Sequence, residues 1–237
     1  MFQCLFLCAA ILARAGENKS ATATAIAAVV EAGGELKGIP FAEVIKATTG
    51  NQVLPFDLKS EADRELLSKI GGALDEVIQR MNATNSIAQK QRRINEVSSH
   101  FENEMKAVLN ETPGFSCDFP HLASGKIQRS GYPDLRLVDK KSGRIIYLDP
   151  KLYEATSRNS SLRTFYFEPK TETNKVLEDA HHLIVGFAHD GKKSGQWKFL
   201  SWELVDLSHF KVRLKAEFQG SNHDLYQDAA IVGSSRK

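Results

Sequence analysis

The sequence predicts an α+β or α/β fold, in which a mixed central sheet follows an N-terminal helical extension. Two observations carry this prediction. Between residues 60 and 110 the apolar residues recur at helical spacing, and from residue 132 onward short apolar runs alternate with turn residues. Of 237 residues, 42% are hydrophobic and 25% are charged, which is ordinary for a globular protein and large enough for one domain with an extension.

The N-terminus carries a short apolar stretch. Residues 4–13 read CLFLCAAILA, and Ala13-Arg14-Ala15 follows as an A-x-A pattern. This pattern favours a signal peptide within residues 1–15, although no positive residue precedes it; the alternative is an N-terminal helix packed on the core. A signal peptide implies export to the periplasm or medium, and its absence implies the cytoplasm. The stretch is shorter than the roughly 20 residues that span a bilayer, so we expect no stable membrane association.

The helical extension is predicted over residues 16–86. Its best helix covers residues 60–82, where Leu66, Ile70 and Leu74 share one face with later apolar residues, although Gly71-Gly72 weakens its middle. Shorter helices are predicted over residues 21–32 and 41–48.

A second region, residues 87–219, combines a helix with several strands. The helix is predicted over residues 87–110 and ends at Thr112-Pro113-Gly114. The turn sequence DKKSG joins two apolar runs, so these should pair as a hairpin. The predicted elements that follow the helix are strands at 132–139, 144–149 and 163–168, a short helix at 173–181, strands at 183–188 and 197–207, a last strand or short helix at 210–218, and a loose tail at 220–237.

Three residues form the candidate catalytic site. Asp134 follows Pro133 at the start of the first hairpin strand, and Asp149 and Lys151 stand two apart at the end of the second. Residues two apart in a strand point to the same face. Because a hairpin places the start of one strand beside the end of the other, Asp134 should lie next to Asp149.

These residue types suit the hydrolysis of phosphodiester bonds. Two carboxylates can hold Mg²⁺, an ion that also binds phosphate oxygens and lowers the pKa of a bound water. A nearby lysine can orient that water or stabilise the charge of the transition state. The net charge of +2 is too small to indicate nucleic-acid binding, but residues 126–151 hold seven basic residues against three acidic ones, which suits a phosphate-rich substrate or a solvated hairpin.

Pro133-Asp134 and Asp149-Pro150-Lys151, each beside an apolar strand, resemble the motif of the PD-(D/E)XK superfamily of restriction-endonuclease-like nucleases. The resemblance covers about residues 87–207 and implies an αβββαβ core. It further implies DNA cleavage that depends on Mg²⁺, with Mn²⁺ able to substitute, as in a type II restriction enzyme. Asp134 and Asp149 would be the metal ligands, Lys151 would be the catalytic lysine, and a homodimer is the expected form of an enzyme that cuts palindromes.

Two features of the sequence leave alternatives open. Pro150 stands where the superfamily has a residue that bonds to its neighbouring strand, so the strand should end or lie at an edge there. Glu168-Pro169-Lys170 repeats the same motif, so Glu168 and Lys170 form an alternative acid and lysine pair. A second class of function is therefore a non-catalytic nucleic-acid-binding module on the same fold, and a third is an exported protein of unrelated role.

Further site residues are predicted from the same resemblance. The superfamily often takes another acid from the helix before the first strand, and Glu104, at the edge of the apolar stripe, is the predicted third ligand. Arg158, Arg163 and Lys170 are predicted contacts to phosphate or DNA.

Overall fold

A computed structural model describes residues 21–31, 36–215 and 220–233 of the chain. The chain divides into two compact units, one formed by residues 39–211 and the other by residues from 1–38 and 212–237. The predicted signal peptide or N-terminal helix at 1–15 lies outside the described residues. Among those residues, no helix is long and apolar enough to cross a membrane.

The structure contains both helices and strands, as the sequence predicts. The described helices are α1 (Ala21–Glu31), α2 (Phe41–Thr49), α3 (Glu61–Asn82), α4 (Ile87–Lys90), α5 (Ile94–Glu111) and α6 (Asn222–Leu225). The described strands are β1 (Lys37–Pro40), β2 (Val53–Leu54), β3 (Phe115–Asp118), β4 (Leu135–Asp139), β5 (Ile145–Glu154), β6 (Ala180–Lys193), β7 (Gln196–Asp206) and β8 (Lys211–Arg213).

The central sheet is mixed, which confirms the predicted fold class. Its strand order is β2-β6-β5-β4-β3, and β7 also pairs with β6. The pairs β3–β4, β4–β5 and β6–β7 are antiparallel, whereas β2–β6 and β5–β6 are parallel. The strands β1 and β8 form a separate two-stranded sheet.

The helices α3 and α5 supply most of the helical side of the hydrophobic core. Their buried residues, which include Leu74 and Phe101, pack with the sheet residues Leu148 and Phe187. This packing explains why α3 belongs to the same compact unit as the sheet. The boundary predicted between residues 86 and 87 therefore falls inside the unit of residues 39–211.

The helix α3 runs without a break through Gly71 and Gly72. Residue 71 is glycine because the sheet approaches the helix closely there: a Cβ atom on Gly71 would lie 2.8 Å from the Trp202 ring on β7. A Cβ atom on Gly72 would meet nothing within 4 Å. Glycine at position 71 thus makes room for an aromatic side chain of the sheet.

Two predicted elements are wrong, because residues 158–179 contain neither the strand at 163–168 nor the helix at 173–181. The aromatic residues of this loop are used elsewhere: Phe165 and Phe167 pack edge-on against Phe41 of α2, with ring centroids 5.2 and 5.7 Å apart. The first of the three strands after helix α5 is instead β3, a four-residue strand that the sequence analysis missed, and β4 and β5 follow it. Helix α5 and three strands thus follow in the expected order, without the expected helix before β6.

Candidate metal centre

The β4–β5 hairpin positions the two predicted carboxylates. The strands pair antiparallel from Val138 opposite Ile145 to Leu135 opposite Leu148. One step beyond that last pair, the same register places Asp134 opposite Asp149. The predicted hairpin is therefore observed, and it brings the two acids together as expected.

The two acids lie where β5 loses one of its two neighbouring strands. The pairing of β5 with β4 stops at Leu148, but its parallel pairing with β6 continues from Ile146 to Glu154. The prediction that the strand ends at Pro150 is wrong, since Pro150 lies within β5 opposite Val185 of β6. The alternative, an edge position, describes the site better: β6 is the described neighbour of β5 there, and a one-sided strand tolerates proline.

Alternation along β5 decides which side chains share the site. Ile146 and Leu148 belong to the hydrophobic core beneath the helices. Because successive residues of a strand point to opposite faces, Asp149 and Lys151 share the other face. The candidate site thus lies on the face of the sheet away from the core helices.

The carboxyl groups of Asp134 and Asp149 are close enough to share a hydrogen bond. Burial, together with the contact with Asp149 and the negative charge of that group, raises the pKa of Asp134 to about 8, while the ammonium of Lys151 acts in the opposite direction. Two like charges in a poorly hydrated place repel each other strongly, so the pair needs either a shared proton or a cation.

One oxygen of the pair is buried and lies against the ammonium of Lys151. Asp149 is only 2% exposed, and its Oδ2 atom has no hydrogen-bond partner among the described residues. The Nζ atom of Lys151 lies 2.7 Å from this oxygen, as an ion pair whose geometry does not form a hydrogen bond. Buried charges in proteins are paired with opposite charges or bind metals. Lys151 supplies one positive charge for the two acids, and a bound cation would neutralise the remaining negative charge.

These observations fit a divalent metal ion. Carboxylate oxygens are the ligands that Mg²⁺ prefers, and this ion usually takes one or two protein carboxylates together with waters and substrate phosphates. Within residues 21–31, 36–215 and 220–233, no group of three or more His, Cys, Asp or Glu side chains is arranged to hold a metal. Among the described residues, the candidate donor set is therefore the carboxylate pair.

The predicted third acid, Glu104, is not brought to this pair. Its carboxylate lies 3.3 Å from the guanidinium of Arg80 on α3, which also binds Glu76 and Glu111. Glu102 is the acid of α5 whose charge acts on Asp134. The sequence analysis placed Glu104 nearer the apolar stripe, but position relative to the helix core does not reveal which acid reaches the sheet edge.

A buried lysine, which the sequence analysis missed, lies at the same place. Lys175 is 1% exposed, and its ammonium donates to the backbone oxygens of Gln128, at 3.3 Å, and Gly131. Burial lowers the pKa of Lys175, and the charges of Asp134, Asp149 and Glu102 raise it. No motif signals this residue, because its burial depends on the path of the loop over residues 158–179.

Comparison with known proteins decides the family. The model of the family described as "Type II restriction enzyme MjaV family" matches residues 34–229. The chain belongs to the MjaV family of type II restriction enzymes. The Type II restriction enzyme MjaV of Methanocaldococcus jannaschii is 32% identical over 207 residues, which cover 83% of this chain and 89% of the relative. The MjaV family match includes α2 and α3, so residues 34–86 of the predicted helical extension lie within the matched region.

The remaining predicted residues of this MjaV family member contact partners outside the carboxylate pair. Glu168 and Lys170 pair with each other at 2.8 Å on the exposed loop, at no strand end. Arg158 pairs with Glu203 at 2.7 Å, and the guanidinium of Arg163 stacks 4.0 Å from the Tyr166 ring. The hairpin, and not the repeated motif at 168–170, is thus where acids and a lysine converge.

Proposed function

We propose that this member of the MjaV family is an Mg²⁺-dependent endonuclease of the PD-(D/E)XK type, which hydrolyses phosphodiester bonds in DNA. Asp134 and Asp149 are the metal ligands and Lys151 is the catalytic lysine, with Mn²⁺ able to replace Mg²⁺. The observation that carries the proposal is the meeting of two carboxyl groups beside an ammonium, which lies 2.7 Å from an oxygen of the buried Asp149 carboxylate.

Each residue has a distinct task in this proposal. A divalent ion held by the two carboxylates would supply Lewis acidity and lower the pKa of a bound water. Asp149 is fixed by the parallel pairing of β5 with β6, so its carboxylate needs little reorganisation to bind the ion. The side chain of Lys151 is 32% exposed, so a phosphate that approaches from solvent can reach its ammonium. That ammonium stabilises the negative charge that develops on the phosphate oxygens.

The family supports DNA as the substrate, and the assembly is a further part of the proposal. The relative is named a type II restriction enzyme, and we propose that this chain likewise cuts DNA within defined sequences. We also propose that it acts as a homodimer, because two identical sites related by symmetry can cut both strands of a palindrome. Light scattering of the purified protein, with and without DNA, measures whether the mass is that of one chain or two.

A cleavage assay tests the proposed function. Long genomic DNA incubated with the full chain and Mg²⁺ should give discrete fragments, and EDTA should stop the reaction. Asp149→Asn, which keeps the shape of the side chain but removes its charge, should lower the cleavage rate at least about a thousandfold. The control is Glu168→Gln, an exposed acid in the repeated motif, which should cut like the wild type.

The same assay separates the rival functions. Equal cleavage by the wild type and by Asp149→Asn would contradict the assigned site. DNA binding by the wild type without cleavage, in both Mg²⁺ and Mn²⁺, would instead establish the non-catalytic binding module on the same fold.

A further inference from the structure

The loop over residues 158–179 inserts one charged side chain into the interior. Its neighbour Val176 is fully buried, and the side chain of Asn51 donates to the Val176 backbone oxygen at 2.9 Å. The side chain of Asn174 bonds to both the N–H and the C=O of Val176. Lys175 therefore emerges from a well-anchored point of the chain, although this loop has no helix or strand.

The ammonium of Lys175 donates hydrogen bonds to the backbone that precedes Asp134. We name residues 128–134 the approach segment. Lys175 donates to the segment's backbone oxygens at Gln128 and Gly131. The segment is tied a second time where the Tyr132 hydroxyl and the His182 Nδ1 atom form a hydrogen bond of 2.7 Å. Both ties lie within six residues of the Asp134 carboxylate.

A purely structural tie would not require a charge. Burying an ammonium costs several kcal/mol of hydration unless nearby groups offset it, and a neutral donor could make similar bonds to the two carbonyls. Here the offsetting charges are Asp134, Asp149 and Glu102. The charge of Lys175 thus lies near the acids of the proposed metal centre. This position indicates that Lys175 contributes to that centre.

We infer that Lys175 is a positioning residue of the metal centre, whose buried ammonium holds the approach segment so that the Asp134 carboxylate stays against Asp149. The inference rests on the proposed function, since it assigns Lys175 to the ion site formed by those two acids. Lys175 acts through Asp134, whereas Lys151 acts on the phosphate.

The direction of a change in metal affinity separates this role from an electrostatic one. Removal of a positive charge near a cation site would by itself strengthen the binding of a divalent ion. Loss of the position of Asp134 would weaken it. A weaker affinity after removal of Lys175 therefore reports position, and it opposes the change expected from charge alone.

The test measures Mn²⁺ binding to the full chain without DNA, by titration calorimetry or by the paramagnetic resonance signal of free Mn²⁺. Lys175→Met should weaken the affinity about tenfold to a hundredfold, the range found when groups that support metal ligands are removed. The matched control is Lys192→Met, because the Lys192 ammonium also bridges two backbone oxygens, those of Gln89 and Gln91, at 3.2 and 2.7 Å. This control should bind Mn²⁺ like the wild type.

Folding is checked in each variant by circular dichroism and thermal unfolding. If Lys175→Met does not fold, Lys175→Gln, which keeps an N–H donor, carries the same comparison with an expected weakening in the same direction. Unchanged or tighter Mn²⁺ binding by a folded Lys175 variant would overturn the inference and leave the proposed function standing. A wild type that binds no Mn²⁺, or binds it as Asp149→Asn does, would instead overturn the proposed function and this inference with it.

Discussion

Asp134 lies opposite Asp149 in the β4–β5 hairpin, one step beyond the paired residues Leu135 and Leu148. The relationship is local, because only the fourteen residues 135–148 separate Asp134 from Asp149 along the chain. The pair also lies where the pairing of β5 with β4 ends and its pairing with β6 continues, so the two residues are at an edge of the sheet. The geometry of the proposed metal centre is therefore set by the register of a single hairpin.

Lys151 and Lys170 should differ sharply in their effect on cleavage. Lys151→Ala removes the ammonium beside the carboxylate pair and should lower the cleavage rate about a hundredfold to a thousandfold, as expected for a group that stabilises transition-state charge. Mn²⁺ affinity should stay the same or rise, because both carboxylates remain and the lost ammonium repelled the ion. Lys170→Ala removes an exposed loop lysine and should leave the rate unchanged. Similar rates for the two variants would contradict the assignment of the catalytic lysine.

Gly71 and Gly72 should respond in opposite directions to alanine. Gly71→Ala brings a methyl group to 2.8 Å from the Trp202 ring and should lower the free energy of unfolding by about 1–3 kcal/mol. Gly72→Ala meets open space within the same helix and should raise it by about 0.5–1 kcal/mol. Urea unfolding of both variants measures the difference. A stabilised Gly71→Ala protein would show that Trp202 moves away at little cost.

His182 should make the protein less stable in mild acid. Burial, together with the nearby charge of His181, lowers the pKa of His182 to about 3, whereas the unfolded value is 6.5. Below pH 6.5 the unfolded chain binds a proton that the folded chain rejects, so the free energy of unfolding falls as the pH decreases from 6.5 toward 3. Between pH 7 and pH 5 the loss from this group is about 2 kcal/mol.

The His182 effect can be isolated with one substitution. His182→Asn keeps a polar group near the Tyr132 hydroxyl but does not titrate. Urea unfolding at pH 7 and pH 5 should therefore show a smaller loss of stability in the variant than in the wild type, while the other histidines contribute equally to both. Identical losses in the two proteins would show that His182 does not exclude the proton.

The sequence predicted the elements whose signals are local. The turn over residues 139–143 and the apolar runs beside it determine the hairpin, and the hairpin alone places Asp134 beside Asp149. The helical spacing of residues 60–82 likewise predicts α3 within a residue at its start. In both cases the decisive contacts lie close together in the chain.

The predictions that failed share a physical reason: contacts between residues far apart in the chain determine these parts of the structure. Phe165 and Phe167 gave the pattern of a strand, yet they pack on Phe41, which lies more than a hundred residues earlier in the chain. Lys175 gave no signal, because its burial depends on acids and carbonyls from other elements. Glu104 had the better helical angle, but the ion pair with Arg80 decides where it points.

The most direct test of the central claim is a crystal structure of the full chain soaked with Mn²⁺, with anomalous scattering used to locate the ion. The proposed metal centre predicts an anomalous peak between Asp134 and Asp149, with an oxygen of each carboxylate at about 2.2 Å, close to the distances of hard divalent ions. Lys151 should lie beside this peak. A bound ion held by other residues, with Asp134 and Asp149 sharing a proton and no metal, would contradict the account.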